Sequence, residues 1–141
     1  MKTGRYNVGV GLLVMAGFMI YGFILIYLRD FAPGKEAWVA SYSLGQHFEA
    51  RLAHVHGNLF ALLNLALGFV LVRLSSASDK ARTTAAGLGL AGLLMPVGIL
   101  GELYLGLSPI FVIVGAAAMT SSVVLTGVLA LRHWTDARAA T

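Results

Sequence analysis

The chain has 141 residues, of which 58% are hydrophobic and 11% charged, and its mean hydropathy is +0.82. That length allows one domain, and that hydropathy places the domain in a membrane. With no cysteine, disulfides, thiolate zinc sites, iron–sulfur clusters and covalent c-type haem are all excluded. A net charge of +4 in so apolar a chain reads as membrane topology, not as nucleic-acid binding.

Four apolar runs follow one another. They cover about residues 8–28, 52–74, 85–107 and 109–131. Each reaches the roughly 20 residues that cross about 30 Å of hydrocarbon, and backbone groups in lipid must be satisfied within the segment. The expectation is an all-α, integral membrane four-helix bundle forming one domain over residues 1–141. The first run follows Lys2 and Arg5 like a signal peptide, but its apolar stretch is too long and lacks a small-residue cleavage site, so it reads as a retained span.

Basic residues set the expected orientation. Lys2, Arg5, Arg73, Lys80, Arg82, Arg132 and Arg138 would lie on one side, against Arg29, Lys35 and Arg51 on the other. This predicts an inner-membrane, multi-pass protein with both termini in the cytoplasm. The tight Leu107-Ser108-Pro109 turn then faces outward, and Pro suits the first turn of the helix that follows it. Pro96 predicts a kink within the third span, with a freed carbonyl near Gly92. Small residues in the third and fourth spans permit close helix contact within the bundle or in a homo-oligomer.

The second run opens on "HFEARLAHVHGN", residues 47–58, an unusual concentration of polar groups. At 100° per residue, His47, Arg51, His54 and Asn58 share one stripe of a helix. Glu49 and His56 share another. His54 and His56 point about 200° apart, so an intact helix cannot offer both to one metal. His47 is expected to be an exposed residue above the interface. Arg51 and Glu49 can snorkel or complement the helix dipole.

His54 or His56 as a ligand or catalytic group is the sharper reading, with interhelical hydrogen bonding as the plain one. Asn58 and Asn64 are candidates for interhelical bonds or substrate contacts. Glu102, near the end of the third span, is costly in lipid if ionised; it should be protonated or paired with His or Arg. Tyr104 beside it can donate a hydrogen bond or serve as an interfacial belt residue.

One histidine stripe plus Glu102 is thin for four-coordinate zinc, whereas haem b needs one axial histidine and an apolar slot. The remaining histidine, His133, lies at the other end of the bundle. A haem on His54, with His56 as the alternative ligand, would therefore be five-coordinate within one protomer.

In "EARLAHVHG", in "DKAR" (Asp79 to Arg82) and in "YLGLSP" (Tyr104 to Pro109), the chain resembles the styrene oxide isomerase family of small four-helix membrane proteins. The resemblance runs over most of the chain in helix order and loop character. It implies haem b, with His54 at the position of the haem-ligating histidine and Tyr104 near the active-site tyrosine. It also implies a lipophilic epoxide substrate arriving through the bilayer and opened to an aldehyde, with ferric iron acting as a Lewis acid on the epoxide oxygen.

Tyr104, Asn58 and Glu102 would then orient the substrate or stabilise developing charge, and Arg51 would join His54 and His56 in holding the cofactor. The chain departs from the family in carrying Phe60 where the family has an asparagine, in lacking an acidic residue around Leu94 to Val97, and in its short loop after Leu107. The run "AHVHGNLFALLN" is also similar to histidine-bearing helices of haem–copper oxidase-like proteins. The alternatives are a non-enzymatic haem or gas-binding subunit, a cofactor-free proton-coupled transporter, and a structural partner subunit.

Overall fold

The computed structural model describes residues 4–134; Lys2 and Arg138, used above for orientation, lie outside them. Six helices follow in order: α1 Arg5–Asp30, α2 Lys35–Ala40, α3 Gln46–Arg73, α4 Asp79–Gly92, α5 Leu94–Leu105 and α6 Ile110–His133. Helices α4 and α5 together make one span, Asp79–Leu105, so four spans are long and apolar enough to cross a membrane. Among the described residues there is no strand. The protein is an all-α membrane bundle.

The second span starts at Gln46, six residues before the start expected from hydropathy. The polar run 47–58 is therefore helix throughout, and its stripe is continuous. Between α1 and α3, in the stretch that separates the first two apolar runs, the chain forms a short helix, α2.

The third span breaks at Leu93, three residues before Pro96. Proline has no N–H for the Gly92 carbonyl and its ring crowds the preceding turn, so the ladder is interrupted there. The Leu93 N–H reaches back only to Leu90 O, at 3.1 Å. Helix α6 docks against this break. A Cβ built on Gly115 would lie 2.1 Å from Met95 N, so only glycine admits this backbone-to-backbone approach.

The span then ends in a glycine cap. Gly106 takes φ +63°, its N–H bonds Glu102 O at 3.2 Å, and the Leu107 N–H bonds Gly101 O at 3.1 Å. The Gly106 bond is the 5→1 bond of an αL ending, and the Leu107 bond reaches one carbonyl further back. Ser108 Oγ accepts from Ile110 N at 3.3 Å, which starts α6 directly after the turn.

Helix α1 packs mainly along α3, α6 packs on α4 and α5, and α3 also contacts α5 to join the two pairs. The joining core is Phe60, Leu67, Leu93 and Met119, with Phe18, Ala53 and Ile99 toward the α2 end. Leu74, Ala77 and Leu129 close the opposite end. Large apolar side chains such as Leu13, Phe23, Phe69 and Leu131 stand exposed on the outside, as a lipid-facing surface requires.

Close to the start of α1 runs a polar clamp. Asn7 Nδ2 donates to Asn64 Oδ1 and to Ala86 O, both at 2.9 Å, while Asn64 Nδ2 donates to Gly89 O at 2.9 Å and Phe60 O at 3.0 Å. Both asparagines are fully buried. Since the amide nitrogens face carbonyls, each amide has one permitted orientation. Asn64 is thus an interhelical bond, one of its two expected roles, and Asn7 is its partner. Ser122 Oγ similarly donates to Ala85 O at 2.7 Å, tying α6 to α4.

Two substitutions test this packing by their effect on the detergent Tm. Asn64→Leu should lower it modestly, because interhelical hydrogen bonds in membranes are worth about 0.6 kcal/mol on average and up to about 1.7. Gly115→Leu should lower it further by prising α6 off the Leu93 break. Equal Tm values for Gly115→Leu and the parent would contradict the close approach.

Candidate functional site

The stripe on α3 faces a groove of about 460 Å³ between α1 and α3, at the end covered by the 31–45 segment. His47, Arg51 and His54 line it from α3, Tyr42 from the connecting segment, and Met19, Gly22, Phe23, Ile26 and Arg29 from α1. Its walls are apolar toward the bundle middle and basic at the rim. Arg29 is held by a bidentate pair with Asp30, at 2.7 and 2.9 Å.

His54 sits in the α1–α3 seam. Its Nδ1 lies 2.8 Å from Phe18 O. A carbonyl can only accept, so Nδ1 carries the proton and the neutral ring keeps its lone pair on Nε2. This is the arrangement by which a backbone carbonyl, bonded to the ring nitrogen that does not ligate, fixes the tautomer and ring orientation of a metal-ligating histidine. The ring fits because α1 has a notch: a Cβ on Gly22 would come 2.6 Å from His54 Cε1. One turn earlier, Phe18 lays its ring over Gly57 of α3, which holds the accepting carbonyl in register.

Tyr21 lies on the same stretch of α1, its ring centroid 6.5 Å from that of His54. Its hydroxyl is 2.9 Å from the Tyr104 hydroxyl. Tyr104 is thus brought from α5 to the neighbourhood of His54 through Tyr21, which the sequence reading did not single out.

The other expected site residues are placed differently. Asn58 turns back on its own helix, donating to His54 O at 2.9 Å with His54 Nδ1 at 3.5 Å; it steadies the histidine's turn. His56 points away from the groove, as the 200° argument requires: its Nδ1 lies 2.9 Å from Leu52 O, and its ring stands edge-on to Phe60. Glu102 is exposed and does not line the groove. Of its two expected states, protonated or paired with His or Arg, the pairing is not made among the described residues.

His47 corrects the expectation of an exposed residue. It is only 4% exposed, stacked on Trp38 at 4.8 Å and met edge-on by Tyr42 at 5.2 Å, with Nδ1 3.1 Å from Trp38 O. The cause is α2, which folds back over the start of α3. Arg51 lies over the Tyr42 ring, 3.9 Å from its centroid, a cation–π contact that holds the guanidinium at the rim.

Hydropathy carries no signal for this cap. Two aromatic residues four apart in 31–45, opposite a histidine and an arginine four apart on α3, were the available hint.

Among the described residues, no three His, Asp or Glu side chains come together as a metal site. The donor set that the geometry offers is a single oriented imidazole. Comparison with protein-family models, curated proteins and solved structures gives no match.

The tautomer is directly measurable. In ¹⁵N-histidine-labelled protein, the neutral His54 ring should show its bound proton on Nδ1, and Gly22→Val should abolish that signature by displacing the ring. A proton on Nε2 in the parent protein would contradict the Phe18 hydrogen bond.

Proposed function

We propose that this protein binds haem b in the α1–α3 groove, with His54 as axial ligand, and acts there on a lipophilic epoxide. The observation carrying the proposal is the His54 imidazole, oriented by Phe18 O and accommodated by Gly22, lining an apolar groove with a basic rim. The residues fit the group in kind: one imidazole for the iron, apolar walls from Met19, Phe23 and Ile26, and Arg51 for a carboxylate at its edge. When bound, such a group supplies a Lewis-acid site of the kind that opens epoxides.

The chain's own residues would do the remaining work. Phe18 O holds the His54 proton and keeps the ring from turning. The apolar walls exclude water and admit a substrate dissolved in the bilayer. The Tyr21–Tyr104 pair, which stands beside His54 without lining the groove, would offer a hydroxyl to negative charge that develops on an opening oxygen. The second reading is a non-enzymatic haem or gas-binding subunit. Two placements favour it: Asn58 is committed to its own helix, and Glu102 stands away from the groove. A homo-oligomer belongs to the proposal in either form, because the groove opens at the side of the bundle.

Absorption spectra of detergent-purified protein, oxidised and reduced, test the reading. A Soret band is expected in the parent and in His56→Ala, lost in His54→Ala and weakened in Gly22→Val. Turnover of an aryl epoxide to its aldehyde, reduced at least tenfold in Tyr104→Phe, would support the enzyme. Haem without turnover would leave the binding subunit. Protein that stays colourless after addition of haemin would overturn both.

A further inference from the structure

A second groove, of about 490 Å³, lies at the far end of the same α1–α3 pair. It is lined by Gly4, Arg5 and Val8 of the α1 start, by Gly68, Phe69, Val70, Val72 and Arg73 of the α3 end, and by Trp134 after α6. Its character is the reverse of a protein core. Phe69 is 64% exposed, and Val72 and Trp134 are about half exposed. Yet two arginines line it, one from each helix.

Neither Arg5 nor Arg73 has a carboxylate partner among the described residues; Arg5 is engaged only with the Tyr6 ring and hydroxyl. The groove thus couples an apolar channel to two uncompensated positive charges at the membrane–water boundary, beside an interfacial tryptophan. We propose that it is a binding site for an anionic phospholipid, with the phosphodiester between Arg5 and Arg73 and an acyl chain along Val8, Phe69 and Val72.

Charge complementarity selects this occupant. Clusters of basic residues between membrane helices at the more basic face are suited to anionic headgroups, and arginine pairs with phosphate oxygens through two parallel hydrogen bonds. A second copy of this chain is the poorer occupant: a two-fold contact through this face would set Arg5 and Arg73 against their own counterparts. A neutral phospholipid could fill the apolar channel, but its cationic headgroup would meet two more positive charges.

The chain supplies its own probe. It has two tryptophans, Trp38 and Trp134, at opposite ends of the bundle. Trp38 Nε1 makes no hydrogen bond, so Trp38→Phe keeps the stack on His47 and leaves Trp134 as the fluorophore. This variant is reconstituted into phosphatidylcholine bilayers containing increasing fractions of brominated phosphatidylglycerol or brominated phosphatidylcholine.

Quenching of Trp134 should need on the order of tenfold less of the anionic lipid, as expected for two basic contacts near the surface. Adding Arg5→Gln and Arg73→Gln should make the two lipids equivalent. About 1 M salt should narrow the difference in the parent, which tests the charge without a substitution. Equal quenching by the two lipids in the parent, no quenching by either, or a preference that survives both arginine substitutions would overturn the proposal.

Discussion

Hydrocarbon offers no hydrogen-bond partner, and this bundle meets that constraint in a recurring way: asparagine, serine and histidine side chains inside the spans bond main-chain carbonyls, while among the described residues the buried Thr126 Oγ1 and Asn7 Oδ1 find no partner. Asn7 reaches Ala86 O, Asn64 reaches Gly89 O and Phe60 O, and Ser122 reaches Ala85 O. His54 bonds Phe18 O, and His56 and Asn58 turn to the carbonyls of Leu52 and His54. Helical carbonyls already accept one bond and keep a second lone pair, so they are the acceptors that a helix can share with a neighbour without losing its own ladder. The helices are therefore joined by donors that glycine and alanine let come close.

The same rule separates two histidines that lie two residues apart. His56 finds its carbonyl on its own helix and is held against the Phe60 ring. His54 finds one across the seam on α1, and that crossing gives it its chemical interest, because the bond that anchors the ring also dictates which nitrogen is left with a lone pair. The crossing depends on a residue with no polar atoms in its side chain. Gly22 admits the imidazole; a larger residue there would remove both the anchor and the orientation.

The two ends of the α1–α3 pair are built for different chemistry. At one end α2 folds over α3, burying His47 among Trp38 and Tyr42 and setting Arg51 on an aromatic face above an apolar groove. At the other, Arg5 and Arg73 line a groove without carboxylate partners among the described residues, at the boundary where headgroups lie. The Leu93 break lies between them, and the asparagine clamp lies beside the second groove. The clamp fixes how α1 and α3 sit against α4, and the break sets α6 onto α4 and α5, so the geometry of both grooves rests on the same packing.

Hydropathy and local stereochemistry determined the four spans, the break near Pro96, the turn at Ser108-Pro109, and the placing of His47, Arg51 and His54 on one stripe. These follow from the chain alone because lipid requires helices and helical periodicity is a property of neighbours in sequence. What only the tertiary structure decided is which way each face looks. Nothing in "YGF" at positions 21–23 announces that Gly22 will meet an imidazole, or that Tyr21 will meet Tyr104 from a helix 83 residues away. Asn7 gave no sign of being Asn64's partner, and a connecting segment of ordinary composition proved to bury His47 rather than expose it. Glu102, singled out for the expense of a carboxylate in lipid, proved to stand exposed near the end of its span and away from the groove. The rotation of one helix against another is set by the shapes that two surfaces present together, and no single helix carries that information in its own sequence.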